Sequence, residues 1–214
     1  MTAPAHHRIL DISQPLRPTT PMWPGDTPFA QSRVMRMEAG QAVNVGAISM
    51  SAHAGAHADA PWHYDPDGAR VGGLDLTRYV GPARVIDARH AIGCVRPGDI
   101  KACMDAAPPR ILLRTYEQFP HEAWRSDFTA IAAETIDFLA DRGVVLIGVD
   151  APSLDPETSK TMDAHQALRR CGLSVLEGLV LDHVAPGDYE LIALPLPVAE
   201  MDAAPVRAVL RALP

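Results

Sequence analysis

Four side chains able to bind a cation or carry a proton fall within eleven residues: His53, His57, Asp59 and His63, in Ser51-Ala-His-Ala-Gly-Ala-His-Ala-Asp-Ala-Pro-Trp-His-Tyr64. They take odd positions, and alanine fills most of the positions between them. On a helix, at about 100° per residue, Asp59 would lie about 240° around from His53, and Gly55 and Pro61 both oppose a helix. An extended chain puts all four on one face. A straight strand rising about 3.3 Å per residue would still part His53 from His57 by about 13 Å. Gly55 supplies a bend, so a bent strand edge carrying a ligand cluster is expected.

Two imidazoles and a carboxylate suit Zn²⁺ or another borderline divalent ion, with a position left open for water. A carboxylate can also bridge two ions, and a second ion needs ligands from elsewhere in the chain. His165, in Asp163-Ala-His-Gln166, and Glu177 are the best candidates. Glu177 has a second reading, because Ser174-x-x-Glu177 also has the form of a helix capping box. Trp23, in a proline-rich loop, is either a core aromatic or a pocket wall. Asp150 either supports a histidine or holds its own loop. Such a density of polar groups is hard to justify as packing, since buried polar groups require partners. The five other histidines, His6, His7, His90, His121 and His183, read as surface or satisfied residues.

The chain that must position these groups has 214 residues, 47% of them hydrophobic and 21% charged, which suits one globular domain. A formal charge of −7, from 26 acidic and 19 basic residues, argues against nucleic acid or an anionic membrane as partner. The longest apolar run, 144–149, is far short of the roughly 20 residues of a membrane span. Cys94, Cys103 and Cys171 offer no C-x-x-C pair for a disulfide framework or a finger-type zinc site. Residues 1–8 have no apolar stretch resembling a signal peptide, so the expected compartment is the cytoplasm. Strands are expected over 9–12, twice within 32–50, and over 80–88, 110–115, 144–149 and 189–193, with helices over 128–142 and 174–184. A helix followed by a buried apolar strand implies an α/β domain with its site beyond the carboxyl ends of the strands.

At these residues the chain resembles the cyclase-like family of metal-dependent hydrolases. The family signature H-x-G-T/A-H-x-D-A-P-x-H is met by His53-Ala-Gly-Ala-His57-Ala-Asp59-Ala-Pro-Trp-His63. An early P-x-W-P-G-D-T-P is met by Pro21-Met-Trp-Pro-Gly-Asp-Thr-Pro28, and G-V-D-x-x-S-x-D-P by Gly148-Val-Asp-Ala-Pro-Ser-Leu-Asp-Pro156. The likeness runs along nearly the whole chain, and within the family it is strongest to the bacterial kynurenine formamidases (arylformamidases). Ala56 stands where many relatives carry Thr, which leaves the ligands intact.

The resemblance implies a single α/β domain with a mixed, barrel-like β core flanked by helices, of the swivelling β/β/α type. It implies a homodimer whose partner can contribute to the site, and two divalent ions per subunit, zinc with manganese as the alternative. The implied metal ligands are His53, His57, a bridging Asp59, His165 and Glu177, with His63 as proton donor and acceptor and Trp23 against the substrate. The implied reaction is hydrolysis of N-formyl-L-kynurenine to L-kynurenine and formate, by metal-activated water with His63 delivering the proton to the arylamine. The competing readings are a sibling amide hydrolysis, such as that of isatin with manganese, and a non-catalytic metal-binding protein.

Overall fold

The computed structural model describes residues 9–213, so the reading of residues 1–8, with His6 and His7, lies outside the described residues. The strands are β1 (Ile9–Asp11), β2 (Ala30–Met35), β3 (Val45–Ser49), β4 (His57–Asp59), β5 (Val80–Asp87), β6 (Cys94–Val95) and β7 (Arg110–Arg114). They continue as β8 (Ala130–Ile131), β9 (Leu146–Val149), β10 (Ser174–Glu177), β11 (Gly187–Ile192), β12 (Ala203–Pro205) and β13 (Val209–Ala212). The helices are α1 (Pro97–Ile100), α2 (Ala133–Ala140) and α3 (Asp163–Cys171).

Nine strands join in one sheet in the order β1-β13-β11-β5-β7-β9-β10-β4-β12. The run β5-β7-β9-β10 is parallel, and the neighbours on either side of it are antiparallel. The sheet curls into a half-barrel, giving the single α/β domain with a mixed barrel-like core that the resemblance implied. Alternation along the strands feeds two cores. Ile111 and Leu113 of β7, Ile147 and Val149 of β9, and Val175 of β10 pack with Ile136, Leu139 and Leu168 of α2 and α3. Leu112, Leu146 and Leu176 point to the other face, where they meet Val85, Leu191 and Leu210. Burial on both faces explains why these strands read as continuous apolar runs.

Two expectations are corrected. The helix expected over 128–142 begins only at Ala133, because Ala130 and Ile131 pair with β6 and the Ile131 amide donates to the Leu154 carbonyl at 2.7 Å. The helix expected over 174–184 is absent. Its first residues form β10, held between β9 and β4, and Gly178 ends the strand at a φ of +64°. A short apolar run fits a buried strand as well as a helix, and here sheet pairing decides. The capping box therefore does not form, and Glu177 closes a strand. The two strands expected within 32–50 are present as the β2–β3 hairpin, in which every residue from 30 to 49 is exposed. No helix among the described residues is long and apolar enough to cross a membrane.

Candidate active site

The site is built on the β4–β10 ladder. Ala58 of β4 is buried in the core away from the helices, so its neighbours His57 and Asp59 face the helical side. Antiparallel register sets Glu177 opposite His57 and Val175 opposite Asp59, which brings Glu177 to the same face. His165, in the first turn of α3, meets them there. His53 arrives from the turn ahead of β4, where Gly55 bends the chain at a φ of +65°. His63 arrives from the 3-10 turn Pro61–His63 that follows β4. The bent segment expected over 53–63 is thus a three-residue strand between two turns.

These segments bring six sequence-selected side chains together. His53 Nδ1 and His57 Nε2 lie 3.2 and 3.3 Å from Asp59 Oδ1, and His165 Nε2 lies 3.5 Å from Asp59 Oδ2. Glu177 completes the ring, with Oε2 3.5 Å from His57 Nε2 and Oε1 3.4 Å from His165 Nε2. Nitrogen and oxygen atoms of His53, His57 and Asp59 lie within 4.8 Å of one another, and so do those of Asp59, His63 and His165. The Asp59 carboxylate is therefore shared, one oxygen turned to His53 and His57 and the other to His165.

Each buried ring is held so that Nε2 faces inward. His57 Nδ1 donates to the Gly55 carbonyl at 2.9 Å, and His165 Nδ1 donates to Asp155 Oδ2 at 2.6 Å. Among the described residues five buried side-chain polar atoms lack a hydrogen-bond partner. Four of them, His57 Nε2, His165 Nε2 and both Asp59 oxygens, converge here. An unpaired buried polar atom costs about 1–3 kcal/mol, and imidazole nitrogens gathered around carboxylate oxygens are the donor set of a divalent cation. The residues present fit such a cation.

Burial alone would drive the proton off His57, but the Asp59 and Glu177 carboxylates outweigh it and raise the ring to about 10. His165 is raised well above its ordinary value, burial again opposing and Asp155, Asp59 and Glu177 prevailing. Burial would lift Asp59 and Glu177, yet the surrounding imidazoles hold both carboxyls below their usual range. Protons here compensate carboxylates, which is the place a cation takes on binding.

A cavity of about 350 Å³ opens over the cluster, lined by His53, His57, His63 and Glu177 and by the aromatic rings of Trp23, Tyr116, Phe119 and Trp124. Its size is that of a small-molecule site. Trp23 is a wall of this cavity and stands edge-on to Trp124, with ring centroids 5.4 Å apart. Trp124 is held in turn by its Nε1, which donates to Glu157 at 2.7 Å. Asp150, just past β9, anchors the segment that follows β7: it accepts from the Thr115 amide and hydroxyl and from the Tyr116 amide at 2.6–3.0 Å, and burial pushes its carboxyl up to about 6.

Three residues escaped the sequence reading. Asp155 accepts from the Ala164 and His165 amides and from the His165 ring, so one carboxylate both caps α3 and orients a candidate ligand. Its signal was the Leu154-Asp155-Pro156 end of a quoted motif. Asp202 accepts from both His53 and His63 and has no local signal. Trp124 is a lone aromatic in an irregular segment.

A mixed half-barrel with a His/carboxylate cluster beside an aromatic-lined cavity is the architecture of a cyclase-like protein. The chain belongs to the Cyclase family: the family model, described as "Putative cyclase", matches residues 10–156. The chain is similar over its whole fold to a potential metal-dependent hydrolase with cyclase activity. That pair is 27% identical, covers 97% of this chain and 98% of the other, and has a TM-score of 0.83. A predicted metal-dependent hydrolase from Bacillus stearothermophilus is 26% identical over 98% of this chain and 100% of its own, at a TM-score of 0.84. Isatin hydrolase A from Labrenzia aggregata, bound to benzyl benzoate, is 26% identical over 96% and 93%, at a TM-score of 0.82.

Proposed function

We propose that the chain is a kynurenine formamidase, hydrolysing N-formyl-L-kynurenine to L-kynurenine and formate. The observation that carries this reading is that Trp23 and Trp124 line the same cavity as His63 and the cation cluster. It matches an aryl amide, whose ring needs stacking and whose nitrogen needs a proton.

In this reading His53, His57, Asp59, His165 and Glu177 would hold two divalent ions, zinc before manganese. When bound, such ions make water a usable nucleophile near neutral pH and polarise a carbonyl oxygen. The chain's own groups do the rest. His63 takes the proton that water gives up as its oxygen bonds to the formyl carbon. It returns that proton to nitrogen as the C–N bond breaks, so that the arylamine leaves neutral. Trp23 stacks on the aminobenzoyl ring, and the surrounding walls exclude bulk water from the reacting groups.

The test is turnover by metal-analysed protein of N-formyl-L-kynurenine and isatin side by side, with and without chelator. Chelator-sensitive turnover of the formamide at the higher kcat/KM is the expected result. A preference for isatin would favour the second reading, which the likeness to an isatin hydrolase supports. Bound metal with turnover of neither would leave a binding protein.

The same reading makes the chain a homodimer. The β2–β3 hairpin projects Val34, Met37, Val43 and Ile48 into solvent, each more than half exposed. The chain also carries an uncovered strip at Leu194, Leu196, Val198 and Met201, beside the edge strand β12. A two-fold axis would lay each arm on the other copy's strip.

A further inference from the structure

We propose that Asp202 is a positioning residue for His63, joining the proton-transfer ring to the cation cluster through a single carboxylate oxygen. Asp202 Oδ2 lies 3.2 Å from His63 Nδ1 and 3.0 Å from His53 Nε2, so one atom accepts from both rings. The rings stand close, with centroids 4.4 Å apart. The carboxylate is placed by backbone: the Asp202 carbonyl accepts the Ala60 amide at 2.8 Å, and Ala203 pairs with Asp59 in the β12–β4 ladder. Asp202 is thereby tied to the strand that carries Asp59.

The chemistry follows from which nitrogens are engaged. A carboxylate at Nδ1 keeps the hydrogen there and leaves Nε2 as the nitrogen that exchanges a proton. At His53 the same oxygen takes the Nε2 hydrogen, which leaves Nδ1, on the Asp59 side, free for a cation. His63 and His53 each have their tautomer and orientation set by one group.

This inference rests on the proposed role of His63, and its test separates the two. In long-range ¹H–¹⁵N spectra, which need no turnover, the parent chain is expected to show His63 as the Nδ1–H tautomer. Asp202→Asn is expected to move it toward Nε2–H. On a series of ring-substituted formanilides at saturating metal, Asp202→Asn should keep a KM within about twofold, while kcat falls about 10–100-fold. The loss should shrink as electron-withdrawing substituents make the leaving amine less dependent on a proton. In a His63→Ala background the same substitution should add less than about twofold, because both changes remove one function. An unchanged tautomer, an equal loss across the series, or full additivity with His63→Ala would overturn the proposal. A kcat restored to the parent's value once metal saturates the variant would overturn it in favour of a role for Asp202 at His53 alone. If the tautomer shifts in a parent chain inert toward every formanilide, the formamidase reading fails and the positioning role stands.

Discussion

The backbone of Gly178 rests directly on that of Gly55. A Cβ at Gly178 would stand 3.0 Å from the Gly55 carbonyl carbon and closer still to its oxygen, and both residues hold a left-handed φ, +64° and +65°. Gly178 follows Glu177, and Gly55 lies between His53 and His57, so this contact fixes the distance between two ligand-bearing segments. Gly178→Ala combines a strained φ, worth about 1–3 kcal/mol, with a backbone collision that no rotamer relieves. A lower Tm and reduced metal content are expected, read by calorimetry and elemental analysis. A variant with the parent's Tm and metal content would show that the contact is not required.

Asp155 governs His165 from outside the cluster. Its carboxylate fixes the ring with Nε2 inward, and such outer partners are typically worth 10–100-fold in metal affinity. Asp155→Asn should weaken metal binding by about that factor in chelator competition. Helix content by circular dichroism should stay nearly the same, since the remaining amide oxygen can still accept from the Ala164 amide at the start of α3. Unaltered affinity would mean that Asp155 serves only as a cap.

The contrast between His57 and Glu177 shows what the sequence can and cannot tell. His57 and Asp59 are legible because alternating polar groups with alanine between them have one economical reading, a ligand-bearing face on an extended chain. Glu177 is ambiguous because Ser174-Val-Leu-Glu177 satisfies both a capping box and a buried strand, and only pairing with β9 and β4 chooses between them. Asp202 was illegible in principle. Its meaning lies in contacts 149 and 139 residues away, made where β12 closes the sheet edge against β4.

His63 stands at the cavity and at the cluster without being needed for the buried ring of ligands. His63→Ala should therefore retain metal while losing about 10²–10⁴ in kcat, the usual contribution of general acid–base catalysis. Full activity in a metal-replete variant would remove His63 from the mechanism.

Metal removal should reverse the pH dependence of stability. In the metal-free chain His57 keeps its proton up to about 10 instead of 6.5. A folded-state value raised above the unfolded one adds stability in full below about pH 6.5, and that stability is lost as pH climbs toward 10. The chelated protein should melt at progressively lower temperature across that window. The metal-loaded protein should instead weaken toward acid, because protons compete for the ligands. Titration with zinc at pH 7.5 should release protons, seen as a buffer-dependent binding enthalpy. A chelated protein whose Tm rises through that window would contradict the assigned charges.

The hairpin poses a different problem, because nothing among the described residues covers it. A two-stranded ribbon is marginally stable alone in water, and this one leaves Val34, Met37, Val43 and Ile48 uncovered along its length. A large exposed apolar surface marks an interface, and the strip from Leu194 to Met201 offers a matching surface on a second copy. Ile48→Asp would put a charge into the centre of that contact while touching nothing in the core. Sedimentation should show the parent as two chains and the variant as one. If the partner completes the cavity, turnover should fall with dimer content at low protein concentration while metal content per chain stays constant. A variant that stays dimeric would place the interface elsewhere, and a parent that sediments as a single chain would remove the homodimer itself.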